Sequence, residues 1–225
     1  MERTPPPSRS ATDELIASRV IAIIRTNDPS QILALAKAII DGGIRAIEIS
    51  LTSPGALDAI ARLSAQVPAG TIVGAGTVLS TTQAEDAIKA GSQFLFSPSF
   101  NAGVLRTAQA HGVPFIPAAL TPTEVLSLFG HDLRLIKIFP AGPLGAGYLR
   151  DLLGPLPELR AIPTGGITRE NARSFFDAGA VAIGIGGALT AGVSGSDYEP
   201  VTGRSAEFCA LAAEPRPADR DGRPK

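Results

Sequence analysis

One unit recurs along this chain and constrains its fold more than any other feature: an amphipathic stretch, a glycine, then a short apolar run. Asp41-Gly42-Gly43 leads into Ile44–Ser50, Ala90-Gly91 into Gln93–Ser97, His111-Gly112 into Val113–Pro117, and Ala178-Gly179 into Val181–Ile185. A helix often ends on a residue in the left-handed region, where glycine pays no Cβ penalty. Helix–glycine–strand units in series therefore predict parallel strands joined by crossover helices. Strands are expected near 20–25, 45–50, 71–75, 93–97, 114–118, 134–138, 160–163 and 182–186, each boundary uncertain by ~2–4 residues. Eight alternating units favour an α/β fold of the (β/α)8 barrel type. A doubly wound dinucleotide fold needs G-x-G-x-x-G after its first strand, and here Ile24 runs into Arg25-Thr26-Asn27-Asp28-Pro29 instead.

The 225 residues suffice for one such domain, and 44 % hydrophobic with 18 % charged residues is an ordinary globular composition. The folded body is expected over 12–211. Disordered segments are expected at 1–11, where Pro5–Pro7 stand, and at 212–225, which is rich in prolines and charges. A formal net charge of −1 gives no basic field for a nucleic-acid backbone, so nucleic acid is not an expected partner. One cysteine, Cys209, excludes an intrachain disulfide, and with only His111 and His131 there is no zinc spacing. No apolar run reaches the ~18–20 residues of a membrane span. The first residues lack the apolar stretch of a signal peptide, so a cytoplasmic location is expected.

Lys137 sits alone in the apolar run Leu133–Pro140. Burying an ammonium is costly, and the same desolvation frees the amine to attack a carbonyl. An ion pair, or an ammonium reaching past its strand end, are the structural alternatives. Side chains alternate along a strand, which assigns faces. Ile47, Ile49 and Leu51 form one apolar set for helices to cover, which turns Glu48 and Ser50 inward. Ile136 and Ile138 likewise leave Leu135, Lys137 and Phe139 inside. A carboxylate and an amine near the C-terminal ends of barrel strands lie where this fold keeps its active sites. Glu48 then either neutralises Lys137 or transfers protons beside a Schiff base.

Two glycine pairs follow the last two strands, Gly165-Gly166 and Gly186-Gly187. These loops commonly hold phosphate through backbone N–H groups, although tight turns explain a glycine pair equally well. Gly74-Ala75-Gly76-Thr77 brings a hydroxyl to the same rim.

Taken in order, these blocks resemble the class I aldolases of the 2-keto-3-deoxy-6-phosphogluconate (KDPG) and 4-hydroxy-2-oxoglutarate (KHG) family. The matching segments are Gly42-Gly43-Ile44, Ile47-Glu48-Ile49, Val73–Leu79, Phe96-Ser97-Pro98, Ile136–Ala141 and Pro163–Ile167, within roughly 20–189. The resemblance implies that Lys137 forms a Schiff base with the substrate keto group and that Glu48 shuttles protons. It implies that Thr77, Pro98 and Phe139 line the pyruvyl end, that Thr164 meets substrate hydroxyls, and that Gly165, Gly166, Gly186 and Gly187 hold phosphate. A phosphorylated 2-keto-3-deoxy sugar acid as substrate, a homotrimer, and no cofactor follow in the same way. Two departures stand out: Thr52 occupies the place of an arginine that contacts the carboxylate in many members, and Gly187 replaces a common serine. Arg25, ending the first strand, is therefore expected to hold the carboxylate, with Thr52 beside it; a guanidinium does so bidentately. Thr164 favours the gluconate substrate over its galactonate epimer, whose aldolases carry an apolar residue there. A phosphosugar isomerase or epimerase on the same barrel is the other enzyme class considered.

Overall fold

The computed structural model describes residues 10–193 and 196–215. The expectations for 1–9 and 216–225 lie outside the described residues. Helix α1 (Ala11–Ser18) precedes strand β1 (Val20–Ile24), and strands and helices then alternate apart from one pair of strands and the last two helices. They run α2 (Ile32–Asp41), β2 (Ala46–Ser50), α3 (Ala56–Ser64), β3 (Ile72–Gly76), α4 (Thr81–Lys89), β4 (Leu95–Phe96), α5 (Ala102–Ala110), β5 (Phe115–Ile116) and β6 (Ala118–Ala119). There follow α6 (Pro122–Phe129), β7 (Leu135–Ile138), α7 (Gly145–Leu153), β8 (Arg160–Pro163), α8 (Arg169–Asp177), β9 (Ile183–Ile185), α9 (Gly187–Thr190) and α10 (Glu199–Ala213). All strand pairings are parallel, in a six-stranded sheet ordered β5-β4-β3-β2-β1-β9 and a three-stranded sheet ordered β6-β7-β8. A single bridge between Thr164 and Gly184 links the end of β8 to β9. The result is an α/β fold on a curled parallel sheet.

The glycines of the recurring unit behave as the pattern requires. Gly43, Gly91, Gly112 and Gly179 have φ of 100°, 96°, 66° and 112°, each turning the chain out of a helix toward the next strand. Capping sharpens the opposite ends: Thr121 and Glu124 form a capping box on α6 with Pro122 in its first turn, and Asn101 caps α5.

Two apolar clusters flank the sheet. The larger, between strands and helices, takes Ile47, Ile49, Ile136 and Ile138, with Leu51 packed against it. The smaller lies inside the curl and contains Ile21, Ala46, Ile72, Phe94, Phe96, Ile116, Leu135 and Ile162. The alternation-based faces are thus the ones adopted. Leu15 of α1 joins the inner cluster, so α1 closes the N-terminal end of the curl, a role its sequence did not announce.

Three expectations need correction. The fifth strand divides into β5 and β6 around Pro117, which has no N–H to donate to a ladder. The fourth shrinks to Leu95–Phe96. The last helix continues to Ala213, two residues past the expected end of the folded body. Among the described residues no helix is long and apolar enough to cross a membrane.

Candidate active site

The register stacks the inward side chains in layers. Ile21, Ala46 and Ile72 are neighbours in the lowest layer of β1–β3. Ile23, Glu48 and Gly74 come next, and Ser50 beside Gly76 follows. Arg25, one residue beyond β1, extends that upper layer. Lys137 enters from β7, between Ala118 and Ile162. Polar groups therefore begin one layer above an apolar floor.

Glu48 is 1 % exposed and Lys137 5 %. Both carboxylate oxygens of Glu48 lack a protein hydrogen-bond partner. Burial pushes the Glu48 carboxyl above its ordinary range, against the smaller opposing pull of the Lys137 and Arg25 charges. The carboxylate has room because β3 carries Gly76, where a Cβ would collide with Glu48 Oε1. The amine of Lys137 lies over two aromatic rings, 5.1 Å from the centroid of Phe139 and 5.6 Å from that of Phe96. Its backbone N–H donates to the Pro117 carbonyl at 3.0 Å, tying β7 across the break between β5 and β6.

A cavity of about 440 Å³ opens above these groups. It is lined by eight of the residues singled out from the sequence: Lys137, Arg25, Phe139, Thr164, Gly165, Gly166, Gly186 and Gly187. Thr164 is buried, and Gly184 opposite it leaves space that a Cβ would take from its hydroxyl. The Thr164 hydroxyl donates to the Ile162 carbonyl at 3.2 Å. Gly165 and Gly166 have φ of 83° and 75°, and each is closely approached, Gly165 by the Phe139 ring and Gly166 by Gly142. Their turn role and their place on the cavity wall are both real. Gly187 differs, since a Cβ there would meet nothing within 4 Å.

The other expected residues sit nearby but do not line this cavity. Pro98 lines a neighbouring cavity of about 200 Å³ that shares Phe139. Thr52 and Thr77 are engaged with Ser50, whose hydroxyl lies 2.8 Å from Thr52 Oγ1 and 3.1 Å from Thr77 Oγ1. Arg25 Nε donates to Ser50 Oγ at 3.4 Å, and Arg25 Nη2 donates to Thr77 Oγ1 at 3.3 Å. Thr77 keeps this position with φ of 60°, which is uncommon for a β-branched residue. Ser50 is the hub of this cluster and was given no role from sequence. Its inward parity was visible, but its partners depend on register and curvature. Among the described residues no group of three or more His, Cys, Asp or Glu is placed to hold a metal ion.

A buried amine, a guanidinium and a glycine-lined wall share one cavity, with a buried carboxyl group on a neighbouring strand layer, an arrangement suited to carbonyl chemistry. A family model described as KDPG and KHG aldolase matches residues 12–202. The chain is 33 % identical to a 2-dehydro-3-deoxy-phosphogluconate aldolase of Dickeya dadantii, over 90 % of this chain and 96 % of that one. It is also 33 % identical to a 2-dehydro-3-deoxy-6-phosphogalactonate aldolase of Escherichia coli, over 76 % and 83 %. Among solved structures it resembles a KDPG aldolase from Legionella pneumophila captured with pyruvate as a covalent carbinolamine. That match has a TM-score of 0.74 at 27 % identity, covering 88 % of this chain and 94 % of that one. The chain belongs to the KDPG and KHG aldolase family, whose members are carbon–carbon lyases.

Proposed function

We propose that this chain is a class I aldolase that cleaves 2-keto-3-deoxy-6-phosphogluconate to pyruvate and D-glyceraldehyde 3-phosphate. The observation that carries the reading is the buried Lys137 amine in the same cavity as Thr164, Arg25 and the two glycine pairs, with the Glu48 carboxyl beneath. Lys137 Nζ adds to C2 of the keto acid, and loss of water leaves an iminium. Glu48, whose oxygens have no competing protein donor, takes the proton of the C4 hydroxyl, through water or directly. The C3–C4 bond breaks, its electrons pass to the iminium, and the enamine formed is reprotonated and hydrolysed to pyruvate. Arg25, steadied by Ser50 and Thr77, holds the C1 carboxylate. Gly165, Gly166, Gly186 and Gly187 receive the phosphate, while Phe139 and Pro98 form the apolar wall. The chemistry calls for neither metal nor organic cofactor.

Eight strands closed as a (β/α)8 barrel are part of the same reading, with β5 and β6 as one strand through Pro117 and the Thr164–Gly184 bridge as the last seam. So are a single catalytic unit, a cytoplasmic location and a homotrimer. Leu57, Leu79, Leu126 and Leu144 are exposed apolar residues suited to contact between copies.

Thr164 supports the gluconate substrate over its galactonate epimer. The test is kcat/KM for the two C4 epimers in the parent and in Thr164→Val. Loss of a hydrogen bond to a substrate hydroxyl costs ~1–3 kcal/mol. The gluconate substrate should therefore lose roughly tenfold or more, and the galactonate epimer less. An equal fall for both would leave the epimer choice without a residue behind it. A parent that prefers the galactonate epimer would reverse the assignment.

A further inference from the structure

We propose that Phe96, together with Phe139, forms an aromatic cradle that stabilises the positive charge on the Lys137 nitrogen when it becomes an iminium. The inference rests on Lys137 being the Schiff-base nucleophile and assigns a role to Phe96, a residue outside the set so far given chemistry.

Phe96 is 1 % exposed and points inward from β4, and its ring centroid lies 5.6 Å from Lys137 Nζ. A cation within about 6 Å of an aromatic face is attracted by the ring quadrupole, most strongly where water is excluded. Phe139 presents a second ring at 5.1 Å. Phe96 is itself braced: Phe94 meets it edge to face, with centroids 5.4 Å apart and planes at 66°. Phe94 has its place because Gly74 on β3 lacks a Cβ, which would fall 2.5 Å from Phe94 Cδ2. Phe94, in the space that Gly74 leaves it, thus holds the Phe96 ring against the reacting nitrogen.

Glu48 makes no hydrogen bond to the amine, since neither of its oxygens has a protein partner. Its carboxyl therefore acts on that nitrogen only through space, and the two rings stand beside the nitrogen as further charge-complementing groups. Their effect falls on one stage of the reaction. The neutral amine adds to C2 and passes a proton to the carbonyl oxygen, giving a neutral carbinolamine. Uptake of one proton and loss of water then leave nitrogen in a cationic iminium. Cleavage of C3–C4 returns that charge as a neutral enamine. A π face favours the iminium over both neutral neighbours.

The experiment replaces Phe96 site-specifically with mono-, di- and trifluorophenylalanine, which keep ring shape and apolarity while draining the face of negative charge. Phe96→Leu serves as the ring-free end point. Iminium population is read as the initial rate of cyanoborohydride reduction with saturating pyruvate, and thermal melting follows folding. The rate should fall stepwise with fluorination, by roughly three- to thirtyfold at the trifluoro ring, with melting unchanged. Phe96→Leu should fall at least as far. A flat fluorination series would overturn the proposal, whether or not Phe96→Leu is impaired, because the ring would then act by shape alone. Absence of any adduct in the parent would instead remove the Schiff-base reading on which the proposal stands.

Discussion

The same strands build two unlike interiors. In the lower layer, Ile21, Ala46, Ile72, Phe94 and Leu135 pack with Leu15 of α1 into an apolar plug. Two to four residues further along the sheet, Arg25, Glu48, Ser50, Thr164 and Lys137 project inward, and Gly76 and Gly184 stand where side chains would crowd Glu48 and Thr164. The lower layer keeps water out from beneath; the upper layer spends that exclusion on charge. Burial raises the proton affinity of Glu48, and Lys137 is poised between rings rather than paired with a carboxylate oxygen. Packing and reactivity are therefore separated by a step along the strand rather than by domain.

If that division holds, substitutions in the upper layer damage chemistry and those below damage stability. Lys137→Met should have the largest effect, a loss of cleavage by several orders of magnitude in a protein that still melts cooperatively. Substantial residual turnover in a steady-state assay would break the division at its most important residue.

Glu48→Gln should reduce turnover by about 10²–10⁴-fold, the usual contribution of a positioned proton-transfer group, while retaining pyruvate trapping better than cleavage. It should also melt at a higher temperature at neutral pH. The folded protein holds the Glu48 proton more tightly than the unfolded chain does, so the ionised carboxylate costs stability above its ordinary range. That cost grows as pH rises through the interval up to the raised value. The gain in melting temperature should vanish in acid, below both values. A variant less stable than the parent at neutral pH would mean that Glu48 supports the fold through its charges.

Ser50→Ala should act mainly on binding. Its hydroxyl is worth about 0.5–1.5 kcal/mol per hydrogen bond, so KM for keto acids should rise roughly three- to tenfold with kcat little changed. Ser50→Thr, beside the side-chain-free Gly76, should recover part of that loss. A fall confined to kcat would show that the cluster serves Glu48 rather than Arg25.

Leu15→Ala probes the apolar floor alone. Removing a fully buried leucine costs about 2–5 kcal/mol, visible in denaturant midpoint, with the smallest effect of the four on kcat/KM below the transition. A large change in rate without a change in stability would show that the floor takes part in the chemistry.

The alternation of Ile47-Glu48-Ile49 and Ile136-Lys137-Ile138 was enough to turn both ionisable groups inward, because each is flanked by apolar residues that only a helix-covered face accepts. The glycines ending each helix were equally legible, since a left-handed residue leaves a mark in composition. What sequence did not carry was neighbourhood across strands. Ser50 and Phe96 have inward parity, but their partners lie on other strands, and which residues meet depends on register and on the curl of the sheet. In sequence the glycines at 165, 166, 186 and 187 point to phosphate, whereas those at 74, 76 and 184 make room for Phe94, Glu48 and Thr164. A missing side chain is readable as flexibility; the neighbour that needs its space is not.

In the proposed mechanism the buried amine of Lys137 is the nucleophile. Incubation with pyruvate and borohydride, followed by intact-mass and peptide mass spectrometry, tests it directly. The prediction is one pyruvate-derived adduct per chain, mapped to the peptide carrying Lys137 and absent from Lys137→Met. No adduct, or an adduct on Lys37 or Lys89 with Lys137 unmodified, would contradict it.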